Sequence, residues 1–271
     1  MRVGIIGMGW VGSSVAISAL HAGVARELLL HDVRGELAEG EAMDLAHGSS
    51  FYPSAQVRTA TLEEMKHTDA VVVAAGKGGD SKVTRLSLLQ GNAAIAQSIG
   101  EALRGYKGII IVVSNPVDIL TQIITEASGL PPGRVIGTGT MLDTARLRQS
   151  LAGRLGLDPR SIHAHVIGEH GDSEVVLWRS ATIGGIDLDQ WPGWDPTLKS
   201  AIATEVRRAA YEIIARKGAT NHAIGLVTAH LLKWILHGDG RVLTVSQVQS
   251  GVAGVTGVAL SLPTLVGRQG A

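Results

Sequence analysis

Through the first half of the chain, uninterrupted apolar runs of strand length alternate with Ala-rich segments. The runs are "RVGIIG" (residues 2–7), "ELLLHD" (27–32), "DAVVVAAG" (69–76), "GIIIVVSN" (108–115) and "RVIGTG" (134–139). Unbroken Val/Ile/Leu runs predict strands covered on both faces, because a strand with one face in water alternates instead. The segments between them, such as "VGSSVAISALHAG" and "NAAIAQSIGEALRG", read as helices. Strand–helix alternation predicts an α/β, Rossmann-type doubly wound parallel sheet.

The pattern changes after "GTMLDTARLRQSLAGRLG", a helix expected to link two lobes. "SIHAHVIG" and "EVVLWRSATIGG" alternate polar and apolar residues like strands, and a turn region "DQWPGWDP" follows. Helices are expected over residues 196–217 and 221–237, then two strands or a hairpin in "RVLTVSQVQS" and "GVALSLPTLVG". The expected organisation is a nucleotide-binding domain over residues 1–140 and a smaller α+β substrate lobe over 141–271.

Composition narrows the function. With 271 residues the chain can bury a full core, and with 3% aromatics that core must be aliphatic. Lys plus Arg equal Asp plus Glu at 24 each, which argues against nucleic acid or an anionic membrane as partner. No Cys is present, so a disulfide framework and a thiolate metal site are excluded, and a cytoplasmic setting is expected. No basic, apolar leader precedes the first strand, and no apolar run approaches the roughly 18 residues of a membrane helix.

"GMGWVG" follows the first predicted strand and opens a helix, with glycines at Gly7, Gly9 and Gly12. Gly7 serves a tight turn, Gly9 the approach of backbone to pyrophosphate, and Gly12 close helix–strand packing. Asp32 ends the second predicted strand, where an acid hydrogen-bonds the ribose hydroxyls of NAD and repels the extra phosphate of NADP. Arg34, two residues on, leaves minor NADP use open.

A polar constellation accompanies this turn. Asn115 ends the fourth predicted strand, and ligands bind at the carboxyl ends of such strands. Asp143 and Arg146 are three apart, on one face of a helix. Arg85 follows a glycine-rich polar loop suited to a lid. His170 stands in "IGEHGDSE" between two acids and two glycines. Singly, each has a structural explanation: a surface ion pair, a turn, a buried histidine. Together they match reduction of a 2-oxo acid, which needs an arginine fork for the carboxylate, a donor to polarise the ketone, and a proton donor. A histidine of pKa about 6.5, oriented by a carboxylate, passes that proton near neutrality. "HAHVIGEH" also admits a metal site, with His163 and His165 on one strand face. The Tyr-x-x-x-Lys pattern of short-chain dehydrogenases is absent, since Tyr52, Tyr106 and Tyr211 are followed four residues on by Gln56, Ile110 and Ala215. A nucleotide-binding protein without turnover is disfavoured, because it has no need of His170, Asp143, Arg146 and Arg85 together.

On "GMGWVG", "LLLHD", "MDLAHG", "VVSNPVD", "VIGTGTMLDTARLR", "IGEHGDSE", "RKGAT" and "LSLPTLVGRQG", the chain resembles the L-lactate/malate dehydrogenase family over nearly its whole length, on the lactate side. The resemblance implies NAD as cofactor and a small 2-oxo or 2-hydroxy acid as substrate. It implies His170 as proton donor and acceptor, Asp143 as its orienting partner, Arg146 on the substrate carboxylate and Arg85 polarising the carbonyl. Asn115 and Thr220 join the substrate site. The implied cofactor contacts are Gly7, Met8, Gly9, Val11, Gly12, Asp32, Gly76 and Ile224. Arg148 and His163 match the positions at which similar bacterial enzymes bind fructose 1,6-bisphosphate between subunits. A homo-oligomer, dimer or tetramer, is implied as well.

The chain departs from the family in two places. Gly79 matches the loop position that carries Gln in lactate and Arg in malate dehydrogenases, which implies room for larger side chains, as in L-2-hydroxyisocaproate dehydrogenases. Lys77 and Lys82 keep malate as the alternative substrate. The family also continues beyond "LVGRQGA" into a C-terminal helix, so the second lobe is expected to lack it.

Overall fold

A computed structural model of the chain describes residues 1–78 and 85–271, the side chains of residues 85–87 excepted. The first half builds β1 (Arg2–Ile6), α1 (Trp10–His21), β2 (Glu27–His31), α2 (Gly35–His47), β3 (Gln56–Thr59), α3 (Leu62–Met65), β4 (Ala70–Val73), α4 (Arg85–Ala102), β5 (Ile109–Val112), α5 (Val117–Ser128) and β6 (Val135–Gly137). These strands lie in the order β3-β2-β1-β4-β5-β6, all parallel. The doubly wound sheet expected from the alternation is therefore present. Period-2 geometry sends Val3, Ile5, Leu28, Leu30, Val72 and Ile111 into one core with α1 and α2. It sends Ile6, Leu29, Val71, Val73, Ile110 and Val112 into another with α4 and α5. The runs are continuously apolar because both faces are buried.

β3 escaped the sequence reading. It is an edge strand with the sequence QVRT, and three of its four residues are exposed, so no apolar run marks it. Asn115 consequently follows the fifth strand of the chain rather than the fourth.

The second half holds α6 (Met141–Leu155), β7 (Ile162–His163), β8 (Val166–Ile167), β9 (Val175–Val176), β10 (Thr182–Ile183), β11 (Ile186–Asp187), α7 (Lys199–Lys217), α8 (His222–His237), β12 (Arg241–Ser250) and β13 (Thr256–Val266). The alternating segment "SIHAHVIG" is not one strand. It breaks between β7, which joins a sheet with β10 and β11, and β8, which pairs with β9. Thr144 on α6 explains the break: its hydroxyl accepts the Val166 N–H at 3.0 Å and draws the chain back toward the helix.

Two parts of the second half return to the first. The β12–β13 hairpin adds antiparallel strands to the large sheet beside β6, making eight. Helix α8 packs on α1, where a Cβ on Gly225 would lie 2.6 Å from the Ser14 carbonyl oxygen. Asn221 Nδ2 donates to Ser14 Oγ at 2.8 Å in the same contact. Leu147, Leu151, Ile162, Val166, Ile183 and Ile202 form a third core under α6 and α7.

Candidate active site

The carboxyl end of β1, where strand order reverses toward β4, carries the glycine turn. Gly7 has φ +98°, and a Cβ there would lie 2.4 Å from the Ala75 nitrogen on the loop after β4. A Cβ on Gly12 would strike the Gly7 carbonyl oxygen at 1.9 Å, so α1 can only approach β1 with glycine there. A Cβ on Gly9 would meet nothing within 4 Å, leaving open space over the start of α1. That helix has no side-chain N-cap, so its first N–H groups are available to an anion.

At the end of β2, Asp32 accepts the Met8 N–H at 2.7 Å and the Arg34 N–H at 2.9 Å, one on each oxygen. Burial works against its charge, but these bonds and the Arg34 guanidinium outweigh it and hold the carboxyl below its ordinary range. Each oxygen keeps acceptor capacity for a ribose hydroxyl. Open space at Gly9, an uncapped helix start and an ionised, fixed Asp32 fit a dinucleotide. Within this set Met8 contributes main chain, for its side chain is buried in the core at 1% exposure. Val11 and Ile224 are half-buried against the same core, and Gly76 follows β4.

His170 lies on the loop between β8 and β9. Its Nδ1 meets Asp143 Oδ2 at 2.5 Å, and Arg146 Nη1 donates to Asp143 Oδ1 at 2.7 Å. Asp143 sits in the first turn of α6, where the helix dipole favours a carboxylate, and its side chain is 3% exposed. Burial pushes its pKa up, but the bonds and charges of His170 and Arg146 outweigh burial and lower it. An ionised carboxylate only accepts, so His170 Nδ1 carries the proton of their bond and Nε2 is the exchanging atom. Burial pushes the His170 pKa down; the bond and charge of Asp143, helped by Asp118, prevail and raise it.

Sequence reasoning passed over three buried polar side chains, two of them, Asp118 and Glu174, beside this group and one, Asn92, at the loops after β4 and β5. Asp118, 8% exposed in the first turn of α5, accepts the His170 main-chain N–H at 2.8 Å and the Ser246 hydroxyl at 2.5 Å. Glu174 is 5% exposed, and its Oε1 has no hydrogen-bond partner among the described residues. Burial and then the charge of Asp143 push the Glu174 carboxyl up to about 7. Asn92 on α4, 4% exposed, accepts the Lys77 N–H at 2.7 Å and donates to the Asn115 carbonyl at 2.9 Å, tying the loops after β4 and β5 together. Asp118 stood inside the quoted "VVSNPVD", and a polar residue among the Ala-rich turns of α4 was a readable signal for Asn92.

The remaining predicted residues are more scattered. Asn115 is exposed after β5, and its Oδ1 accepts the Val117 N–H at 3.2 Å. Thr220 is half-buried in the link between α7 and α8. Gly79 lies outside the described residues, as does Lys82; Arg85 is the first residue of α4, and its side chain is not described. Arg148 and His163 are not joined directly. The Arg148 guanidinium donates to the Ala164 carbonyl at 3.1 Å and lies 3.4 Å from His165 Nε2, while His163 is exposed on β7. His163 and His165 do not share a strand face, since His165 falls between β7 and β8. Among the described residues, no group of three or more His, Asp or Glu is placed to hold a metal ion.

Comparison with known proteins gives the lineage. Residues 1–137 match the model of the lactate/malate dehydrogenase NAD-binding domain, and residues 140–271 match that of the family's alpha/beta C-terminal domain. An L-lactate dehydrogenase of Synechococcus sp. (strain JA-3-3Ab) is 45% identical over all of this chain and 89% of its own length. That of Thermus aquaticus is 43% identical, again over all of this chain and 89% of its own. Among solved structures, a ligand-bound minor L-lactate dehydrogenase from Enterococcus mundtii superimposes with a TM-score of 0.96 at 41% identity, covering 99% of this chain and 88% of that one. With both halves matched and the fold shared throughout, the chain belongs to the lactate/malate dehydrogenase family of NAD-dependent oxidoreductases.

Proposed function

We propose that this protein is an NAD-dependent L-lactate dehydrogenase, interconverting pyruvate and L-lactate and accepting bulkier 2-oxo acids. The observation that carries the reading is the shared carboxylate: Asp143 holds His170 at 2.5 Å and Arg146 at 2.7 Å. A proton donor and a carboxylate fork are thereby set side by side on one buried acid.

NADH, when bound, supplies the hydride. In the reduction direction His170 holds its proton on Nε2 and delivers it to the substrate's carbonyl oxygen. Asp143 keeps the Nδ1 proton in place and stabilises the imidazolium before transfer. Arg146 turns its free edge to the substrate carboxylate in a paired contact that fixes orientation. From the motif match, Arg85 polarises the ketone, while Asn115 and Thr220 border the substrate. On the same motif match, Gly79 in place of the usual glutamine extends the substrate range to larger side chains. Gly7, Gly9, Gly12 and Asp32 hold the dinucleotide, with Met8, Val11, Gly76 and Ile224 around it. The balance is one 2-oxo acid, one NADH and one proton giving one L-2-hydroxy acid and NAD⁺.

The protein assembles as a homo-oligomer in this reading. A groove of about 460 Å³ between α6, α8 and β12 supports it, lined among others by Leu226, Val227, Trp234 and Val242. Leu226 and Val242 are each 57% exposed there, an apolar surface suited to a second copy. Fructose 1,6-bisphosphate as effector rests on the match at Arg148 and His163.

NADH oxidation against pyruvate, oxaloacetate and 2-oxoisocaproate, with and without fructose 1,6-bisphosphate, tests the reading. Pyruvate turnover well above oxaloacetate turnover is expected. Preference for oxaloacetate, or no turnover with any of the three, would overturn it.

A further inference from the structure

The histidine loop and Thr220 reach the nucleotide half of the chain by different routes. The loop is clasped to the hairpin, where Gly168 exchanges two main-chain hydrogen bonds with Ser261 on β13, at 2.8 and 2.9 Å. Thr220 lies in the link of residues 218–221 between α7 and α8, which opens at Gly218 with φ +85° and closes on Asn221.

Asn221 stands at the N-cap of α8, where an asparagine oxygen ordinarily accepts an N–H of the first turn. It makes no such bond. Its Nδ2 donates instead to Ser14 Oγ on α1 at 2.8 Å, and its Oδ1 accepts Lys217 Nζ at 2.7 Å. Asn221 is 9% exposed and Ser14 8%, so water is a poor substitute at either end. Helix α8 gives up a stabilising cap, and the link gains a bond to α1. The helices leave no slack at that place, since a Cβ on Gly225 would lie 2.6 Å from the Ser14 carbonyl oxygen. Ser14 thus turns its main chain to Gly225 and its hydroxyl to Asn221, in the second turn of the helix whose uncapped start faces the dinucleotide site. Asn221 follows Thr220 directly, and its carbonyl accepts the Gly225 N–H at 3.0 Å in the turn that contains Ile224.

We propose that Asn221 is a positioning residue for the reaction: through Ser14 it ties Thr220 and Ile224 to α1, so that a dinucleotide seated on α1 orders the substrate side of the pocket. The inference rests on the placement of Thr220 at the substrate and of Ile224 at the dinucleotide. A first ligand that orders a segment spares the second ligand that ordering and raises its affinity. Without the bond, the 2-oxo acid must order the link itself.

Asn221→Ala removes the amide and leaves Ser14 in place. KM for pyruvate should rise roughly 10-fold, the size of one buried hydrogen bond, while kcat stays within about twofold. NADH affinity, read by fluorescence, should stay within about threefold. A purely structural role would lower Tm and leave KM as it is. Ser14→Ala should give the same rise, and the double variant no more than either alone, because the two side chains share one bond. Rises that multiply in the double variant, or a wild-type KM in Asn221→Ala, would overturn the proposal. If Asn221→Ala does not fold, Ser14→Ala deletes a single oxygen and carries the test, and a wild-type KM there overturns the proposal as well. Hydrogen exchange reads the same coupling without turnover. Saturating NADH should slow exchange at the main-chain N–H groups of residues 219–221 in the wild type, and slow it less in Asn221→Ala. Equal protection in both sinks the inference and leaves the functional reading intact. A wild type that binds NADH and turns over no 2-oxo acid sinks that reading, and the exchange difference still decides the inference.

Discussion

Glu174 binds its proton more tightly in the fold than in the unfolded chain, at about 7 against an ordinary 4.5. Between those values the folded state holds more protons, so stability is full below about 4.5 and drains as pH rises through 7. The loss is roughly 3 kcal/mol. Asp143, His170, Arg207 and Arg146 are the charges that face it. Glu174→Gln should therefore raise Tm at pH 8 by on the order of 5 °C and change it little at pH 5. Thermal unfolding at the two pH values decides: an equal gain at both would show that this carboxyl does not titrate in that window. Arg146→Lys tests the fork. A lysine keeps the charge and loses the paired geometry, so KM for pyruvate should rise roughly 10- to 100-fold with NADH affinity unchanged. Asp143, Arg146 and His170 were legible because each stands in a short motif whose polarity conflicts with its surroundings. Asp118 was not, since its meaning lies in Ser246 and His170, which are 128 and 52 residues away in sequence.

At the scale of elements, strands were legible in proportion to their burial. β1, β2, β4, β5 and β6 sit inside the sheet and declare themselves as apolar runs. β3 at the edge does not, and the two-residue strands β7 to β11 owe their existence to tertiary partners. The glycine turn is the element most open to test. Gly12→Ala places a methyl 1.9 Å from the Gly7 carbonyl oxygen, so α1 must move off β1. Overpacking of this kind costs about 1–3 kcal/mol. Stability should fall by that amount in urea, and NADH binding should weaken with it because the start of α1 shifts. Retained NADH affinity beside lowered stability would separate the packing role of Gly12 from the dinucleotide site.

For the whole molecule, the apolar groove between α6, α8 and β12 sets the expectation. Leu226→Asp puts a charge where an associating surface would dehydrate it, so sedimentation should show a shift toward monomer at micromolar concentration. A wild-type protein that sediments as a monomer would remove the basis for assembly. The apolar pattern predicted the layered first half well and the interlocking of the halves poorly. Nothing in the periodicity of residues 241–266 says whether the hairpin serves its own lobe or completes the large sheet beside β6. A single antiparallel pairing, Ser246 with Gly137, makes that choice.

That choice governs the order of events on the ribosome. The six parallel strands, the glycine turn and Asp118 emerge within residues 1–137, ahead of the hairpin that clasps the histidine loop. Ser246 and Ser261 emerge last, and until they arrive the loop between β8 and β9 has neither its main-chain clasp nor the donor that steadies Asp118. A nascent polypeptide halted before residue 241 would carry the nucleotide turn but a histidine loop without its clasp to Ser261. Translation thus separates grip from chemistry, and the hairpin acts as the final fastening that turns one into the other.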